Sequence, residues 1–122
     1  MNCNTIEMVD QSLIDVKLPY QSSIYVSETL QMNQGTRILT SGLYDIQGGD
    51  LTLATILSGG SQKGLSFASI TANNGNIHLL ENEELSTDMI GLVSTQNITI
   101  EGLIHPKNDD GLTTCTSNEE LN

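Results

Sequence analysis

Three short segments of this chain repeat one pattern, and that repetition restricts the available folds more than any other feature. They read Gly49-Asp50-Leu51-Thr52-Leu53, Gly75-Asn76-Ile77-His78-Leu79 and Gln96-Asn97-Ile98-Thr99-Ile100. Each is a turn residue, then Asp or Asn, then an apolar–polar–apolar triplet. The lead-in repeats too: Ile70-Thr71-Ala72 precedes the second copy and Leu92-Val93-Ser94 the third. The copies start 26 and 21 positions apart, within the span of about 20–50 residues that marks repeat architectures. One coil of a β-helix accounts for such a unit. Alternation sends Ile and Leu inward and Thr52, His78 and Thr99 outward. A single coil cannot bury its apolar side, so coils must stack. The pattern predicts an all-β chain, a β-solenoid of the right-handed parallel β-helix type, with roughly five coils. An ordinary β-sandwich is the alternative. The Asp or Asn is expected at a coil corner, tolerating left-handed backbone angles and bonding the local backbone.

Composition agrees with a thin, stacked core. The 122 residues suit one domain. Hydrophobic residues make up 37%, and the aromatics are only Tyr20, Tyr25, Tyr44 and Phe67, too few rings for the core of a typical sandwich or bundle. The net charge is -11, with Lys17, Arg37, Lys63 and Lys107 the only basic residues. Nucleic-acid binding needs a basic footprint, and anionic lipid attracts basic segments, so neither partner is expected. No stretch is long and apolar enough to span a bilayer, and no signal-type leader opens the chain.

The expected organisation has three parts. Residues 1–22 form an N-terminal cap or strand, since 7–17 fits a short helix and a strand equally well. Residues 23–106 form the solenoid, with short apolar runs punctuated by Gly, Asn, Asp and Ser. Residues 107–122 form a polar, flexible tail, part of which could instead cover the last coil.

The run Ser86-Thr87-Asp88-Met89-Ile90-Gly91-Leu92-Val93-Ser94-Thr95-Gln96-Asn97-Ile98-Thr99-Ile100, with 49–54 and 75–79 upstream, resembles a β-helix-like domain of bacterial pilus-assembly-associated and large cell-surface proteins. Residues 40–104 carry the likeness. Ile70 to Ile77 is also similar to the haemagglutinin-type repeats of secreted adhesins. The resemblance implies export to the cell surface, the extracellular space or the periplasm. It implies a structural, adhesive or filament-forming role, with partners among its own copies, other surface proteins or glycans. It carries no catalytic residues, and none is assigned here.

Candidate site chemistry is sparse. His78 and His105 have no identifiable nucleophile partner, and a zinc site needs three or four clustered ligands. Glu81, Glu83, Glu84 and Asp88 share one loop between strands. A solvated acidic loop is the plain reading. Calcium is the best ligand for the loop if it has one, because Ca²⁺ takes several oxygen ligands, and Asn108-Asp109-Asp110 is a weaker candidate. A β-helix carbohydrate-active enzyme would need two carboxylates converging across a cleft. Ser58 to Gly64 is glycine-rich but lacks the Gly-Lys-Ser/Thr ending of a phosphate loop. Asn97-Ile98-Thr99 matches a glycosylation sequon without further support. Cys3 and Cys115 pair only if one end of the solenoid folds back along the stack, because a disulfide needs Cα atoms within about 7 Å.

Overall fold

The structure, a computed structural model, describes residues 2–16, 22–40, 43–58, 67–87, 89–105 and 112–117. Every regular element among them is a strand. The first coil holds β1 (Asn2–Met8) and β2 (Leu13–Val16), and the second holds β3 (Ser22–Met32) and β4 (Arg37–Thr40). The third holds β5 (Leu43–Gly48), β6 (Asp50–Leu53) and β7 (Thr55–Ser58). The fourth holds β8 (Phe67–Ala72), β9 (Ile77–Leu79) and β10 (Glu84–Ser86). The fifth holds β11 (Met89–Ser94), β12 (Ile98–Ile100) and β13 (Leu103–His105), and β14 (Leu112–Ser117) follows it.

All pairing between coils is parallel. One face stacks the first half of β3 with β5, β8, β11 and β14. A second stacks β1 with the second half of β3, then β6, β9 and β12. A third stacks β2, β4, β7, β10 and β13. The long strand β3 belongs to the first two faces, so they form one nine-stranded sheet, while the third is a five-stranded sheet. The chain is therefore a parallel β-solenoid, as the repeat predicts, of about four turns where roughly five coils were expected. The segment 7–17, open between helix and strand, contains strand residues of β1 and β2. Within the stretch expected as a polar tail, β14 pairs with β11 over six residues and extends the first face by one strand.

The core consists of rows of stacked side chains. Ile24, Ile46, Ile70 and Leu92 form one row. Ile6, Leu30, Leu51, Ile77 and Ile98 form a second, and Ile14, Ile38, Ile56, Leu85 and Ile104 a third. Members inside the stack are buried, whereas Ile6, Ile14, Ile100 and Ile104 in the end coils are only partly covered. β-branched residues suit this packing because their stiff side chains fit the pleated surface of a neighbouring strand.

From the second coil onward, coils vary in length while the strands stay in register. Ile24, Ile46, Ile70 and Leu92 lie 22, 24 and 22 residues apart, whereas Ile56 and Leu85 on the third face lie 29 apart. The connections absorb the difference and the strands do not. At the β5–β6 corner the fold needs glycine: a Cβ on Gly48 would lie 2.5 Å from Val26 Cγ2 and 2.7 Å from Leu51 Cδ2.

Because each inward side chain packs against the coils on both sides, Ile56→Ala should cost about 2–5 kcal/mol in denaturant unfolding. Val93→Ala, on an outward position, should stay within about 0.5 kcal/mol of wild type.

Candidate functional site

The conserved shape of each coil concentrates polar side chains at two places, the corner before the second face and the corner before the third. At the first lies the Asp or Asn of the repeated pattern. The Asp50 Oδ1 accepts from the Asn76 N–H at 2.8 Å, and the Asn76 Oδ1 accepts from the Asn97 N–H at 2.9 Å. In return the Leu51 N–H donates to the Asn76 carbonyl and the Ile77 N–H to the Asn97 carbonyl. Two bonds thus tie Asn76 to the coil below it, and two more tie Asn97 to the coil of Asn76. This corrects the sequence expectation. Among the described residues the non-glycine positive φ angles belong to Asp10, Gln11 and Asn82. The Asx residues therefore keep ordinary backbone angles, and they bond the adjacent coil instead of their own turn. The reason is register: parallel stacking places each carboxyl or amide oxygen under the next coil's corner N–H.

Ser94 reinforces the same corner. Its hydroxyl donates to the Gly75 carbonyl at 2.8 Å and accepts from the Gln96 N–H at 3.0 Å.

Beside the ladder, the outward row Glu7, Gln31, Thr52, His78 and Thr99 crosses the second face. The Nε2 of His78 is within hydrogen-bonding contact of Glu101 Oε1, from the coil above. Asp50, Thr52, Asn76, His78, Thr99 and Glu101 are among the residues lining a shallow recess of about 420 Å³ here. His78 is thus outward, as expected, but not isolated. Sequence reasoning missed Glu101. Its signal was its place directly after the third repeat, where the chain leaves the face on the same side as Thr99. The chemistry available is a carboxylate-oriented imidazole. A glycosidase pair needs a second carboxylate across the cleft, and the Asp50 Oδ1 is already bonded to Asn76.

The acidic loop separates into different environments. Glu83 is buried: its Oε1 accepts from the Gly35 N–H at 3.0 Å and its Oε2 from the Thr55 hydroxyl at 2.6 Å. One carboxylate therefore joins three coils. It faces inward because it lies two residues before the inward Leu85. Gly35, at φ 84, opens its N–H toward that carboxylate. Glu81 is exposed, and its carbonyl accepts from the Gln34 side chain at 2.5 Å. Glu84 is half-buried and outward. Asp88 lies outside the described residues, as do 59–66 of the glycine-rich segment and 108–110. Among the described residues, no three His, Cys, Asp or Glu side chains gather to hold a metal ion.

A further buried pair was not legible in advance. The Tyr44 hydroxyl and Thr87 Oγ1 are 2.8 Å apart inside the stack. Tyr44 lies in register with Ala68, whose small side chain leaves room beside the ring. Burial pushes the phenol well above its ordinary value of 10.0, and the Thr87 hydrogen bond opposes this in part.

The two cysteines lie on strands far apart in the stack. Cys3 is a free, exposed thiol on β1, and Cys115 lies on β14. Those strands are five pairing steps apart, about 24 Å at the usual strand spacing and far beyond disulfide reach. His105 ends β13.

The arrangement defines a β-solenoid whose corner polar groups join coils. In comparisons with known proteins, no family model, no curated protein and no solved structure matches the chain.

Two outcomes test this assignment of the polar groups. Asn76→Ala strips the acceptor from the Asn97 N–H and should cost about 1–3 kcal/mol in denaturant unfolding. Tyr44 is held protonated in the folded state, so its contribution is intact below pH about 10 and is lost as the pH rises past that value. Wild type should therefore lose stability above pH about 10 with phenolate absorbance appearing on unfolding. Tyr44→Phe should lack that component and be about 1–2 kcal/mol weaker at neutral pH, where the Thr87 hydroxyl stays buried without its partner.

Proposed function

We propose that this chain is a non-catalytic structural or interaction module of a bacterial cell-surface assembly, of the pilus-associated kind its sequence resembles. The carrying observation is where the polar side chains go. Asp50, Asn76, Ser94, Glu83 and Thr87 each join one coil to another. These groups serve rigidity. What the solenoid offers outward is an ordered surface with rows repeating about every 4.8 Å. Such a surface suits contact with another ordered partner, a surface protein or a glycan. The net charge of -11 favours neither polyanions nor anionic lipid as that partner.

The recess at His78 and Glu101 supports a second reading, a carbohydrate-active β-helix. It gathers hydroxyl, amide, imidazole and carboxylate groups on one open face, the kinds of group that hydrogen-bond sugar hydroxyls.

Two measurements separate these readings. Incubation with a panel of bacterial and plant polysaccharides should release no new reducing ends. Release that disappears in both His78→Ala and Glu101→Gln would replace the structural reading with the enzymatic one. Antibody labelling of intact cells should detect the protein at the surface; labelling only after lysis would remove the cell-surface role.

A further inference from the structure

We infer that the two ends of this solenoid dock head to tail, so that the partner of each open end is a second copy of this chain. This deepens the structural reading above by naming its partner.

The observation is that the described ends match row for row. Among the described strands, β1 and β2 pair on one side only, and so do β12 and β13 at the opposite end. The rows that begin on one edge finish on the other. Ile14 and Ile104, both partly covered, are the two ends of one inward row; Ile6, partly covered, and Ile98, already buried, are the ends of another. Placing a second copy so that its β2 follows β13 and its β1 follows β12 continues both rows at the same spacing. It also covers Ile6, Ile14, Ile100 and Ile104, the partly buried apolar residues packed against the core among the described residues.

The outward rows agree as well. Leu13 and Leu103 are 47% and 57% exposed, and they occupy the same row at opposite ends of the third face. Neither has an apolar neighbour in its register partner: Leu13 pairs with Arg37, and Leu103 with Glu84. Docking sets them side by side. Glu7 falls on the row of Thr99 and Asp15 on the row of His105, so neither carboxylate is stacked on another.

The edges are competent for pairing. Open strands are usually blunted by Lys, Pro, other charges, bulges or short length; β1, β2, β12 and β13 carry no Lys or Pro, while β12 and β13 are three residues long and β1 holds one register shift. On the first face, β14 already stands one level above β11, where it supplies the side of the shared coil that the incoming β1 and β2 do not. Asn2 and Cys3 of the incoming copy fall on the rows of Thr116 and Ser117. They lie before a register break between Cys3 and Thr5, and docking displaces them from the edge. Because the two surfaces differ, the contact is heterologous and does not close at a dimer.

The test is sedimentation velocity of the full chain over a wide concentration range. Wild type should pass through dimer to larger species without a plateau. Leu13→Lys and Leu103→Lys, each at an exposed position and each checked for wild-type circular dichroism, should raise the concentration needed for assembly about tenfold or more. Leu43→Lys, equally exposed at 47% but away from both edges, should assemble like wild type. An equimolar mixture of the Leu13 and Leu103 variants should give dimers and nothing larger, since each retains one intact end. A wild type that stays monomeric throughout, a plateau at dimer, or equal loss in all three variants would overturn the inference. None of these results touches the non-catalytic reading, which the polysaccharide assay decides separately.

Discussion

Parallel pairing of each coil with the next, in register, is the constraint on which everything else in this molecule depends. A coil of 22 to 24 residues on the first face has too little apolar surface to fold alone. Its Ile and Leu residues are buried only because like residues lie directly above and below them. Parallel register does a second thing. It brings chemically equivalent positions of successive coils to within one strand spacing. A residue type that bonds well to its own copy one level away can therefore be used repeatedly, as Asp50, Asn76 and Asn97 are.

The same constraint explains where tolerance lies. The connections change length from coil to coil while the strand rows keep step. Gly48 and Glu83 are less replaceable than their surroundings for opposite reasons. Gly48 is where a strand must turn against Val26 and Leu51 with no space for a Cβ. Glu83 is where a buried carboxylate meets donors from two lower coils. A buried charge is kept only when its hydrogen bonds are made, so the three coils at this corner stand or fall together.

A solenoid also differs from a closed globule in having ends. Interior coils are covered on both sides, and among the described strands the terminal ones are not, so Ile6, Ile14, Ile100 and Ile104 there are only partly covered. The functional reading of a surface-presenting module and the inferred stacking of copies both follow from this geometry, one from the faces and the other from the edges. The His78–Glu101 pair is the outward feature that most departs from a plain Ser, Thr and Gln surface, and it sits on a face that stacking leaves open.

The sequence by itself determined the period-two alternation, the coil repeat and the inward or outward side of most strand residues. It also determined the acidic character that disfavours polyanionic partners. It did not determine the burial of Glu83, which the sequence placed in a solvated loop and which shares its parity with the exposed Glu81. Only the tertiary structure decided which distant positions meet. That Tyr44 reaches Thr87, that His78 meets Glu101, and that Leu112 to Ser117 extends the first face all depend on register between segments about 20 to 45 residues apart in sequence. The echo at 49–53, 75–79 and 96–100 announced that an Asx residue recurs. It could not say that the side chain reaches to the next coil, because the length of each connection, and hence which N–H lies above which oxygen, is set by stacking and not by local pattern.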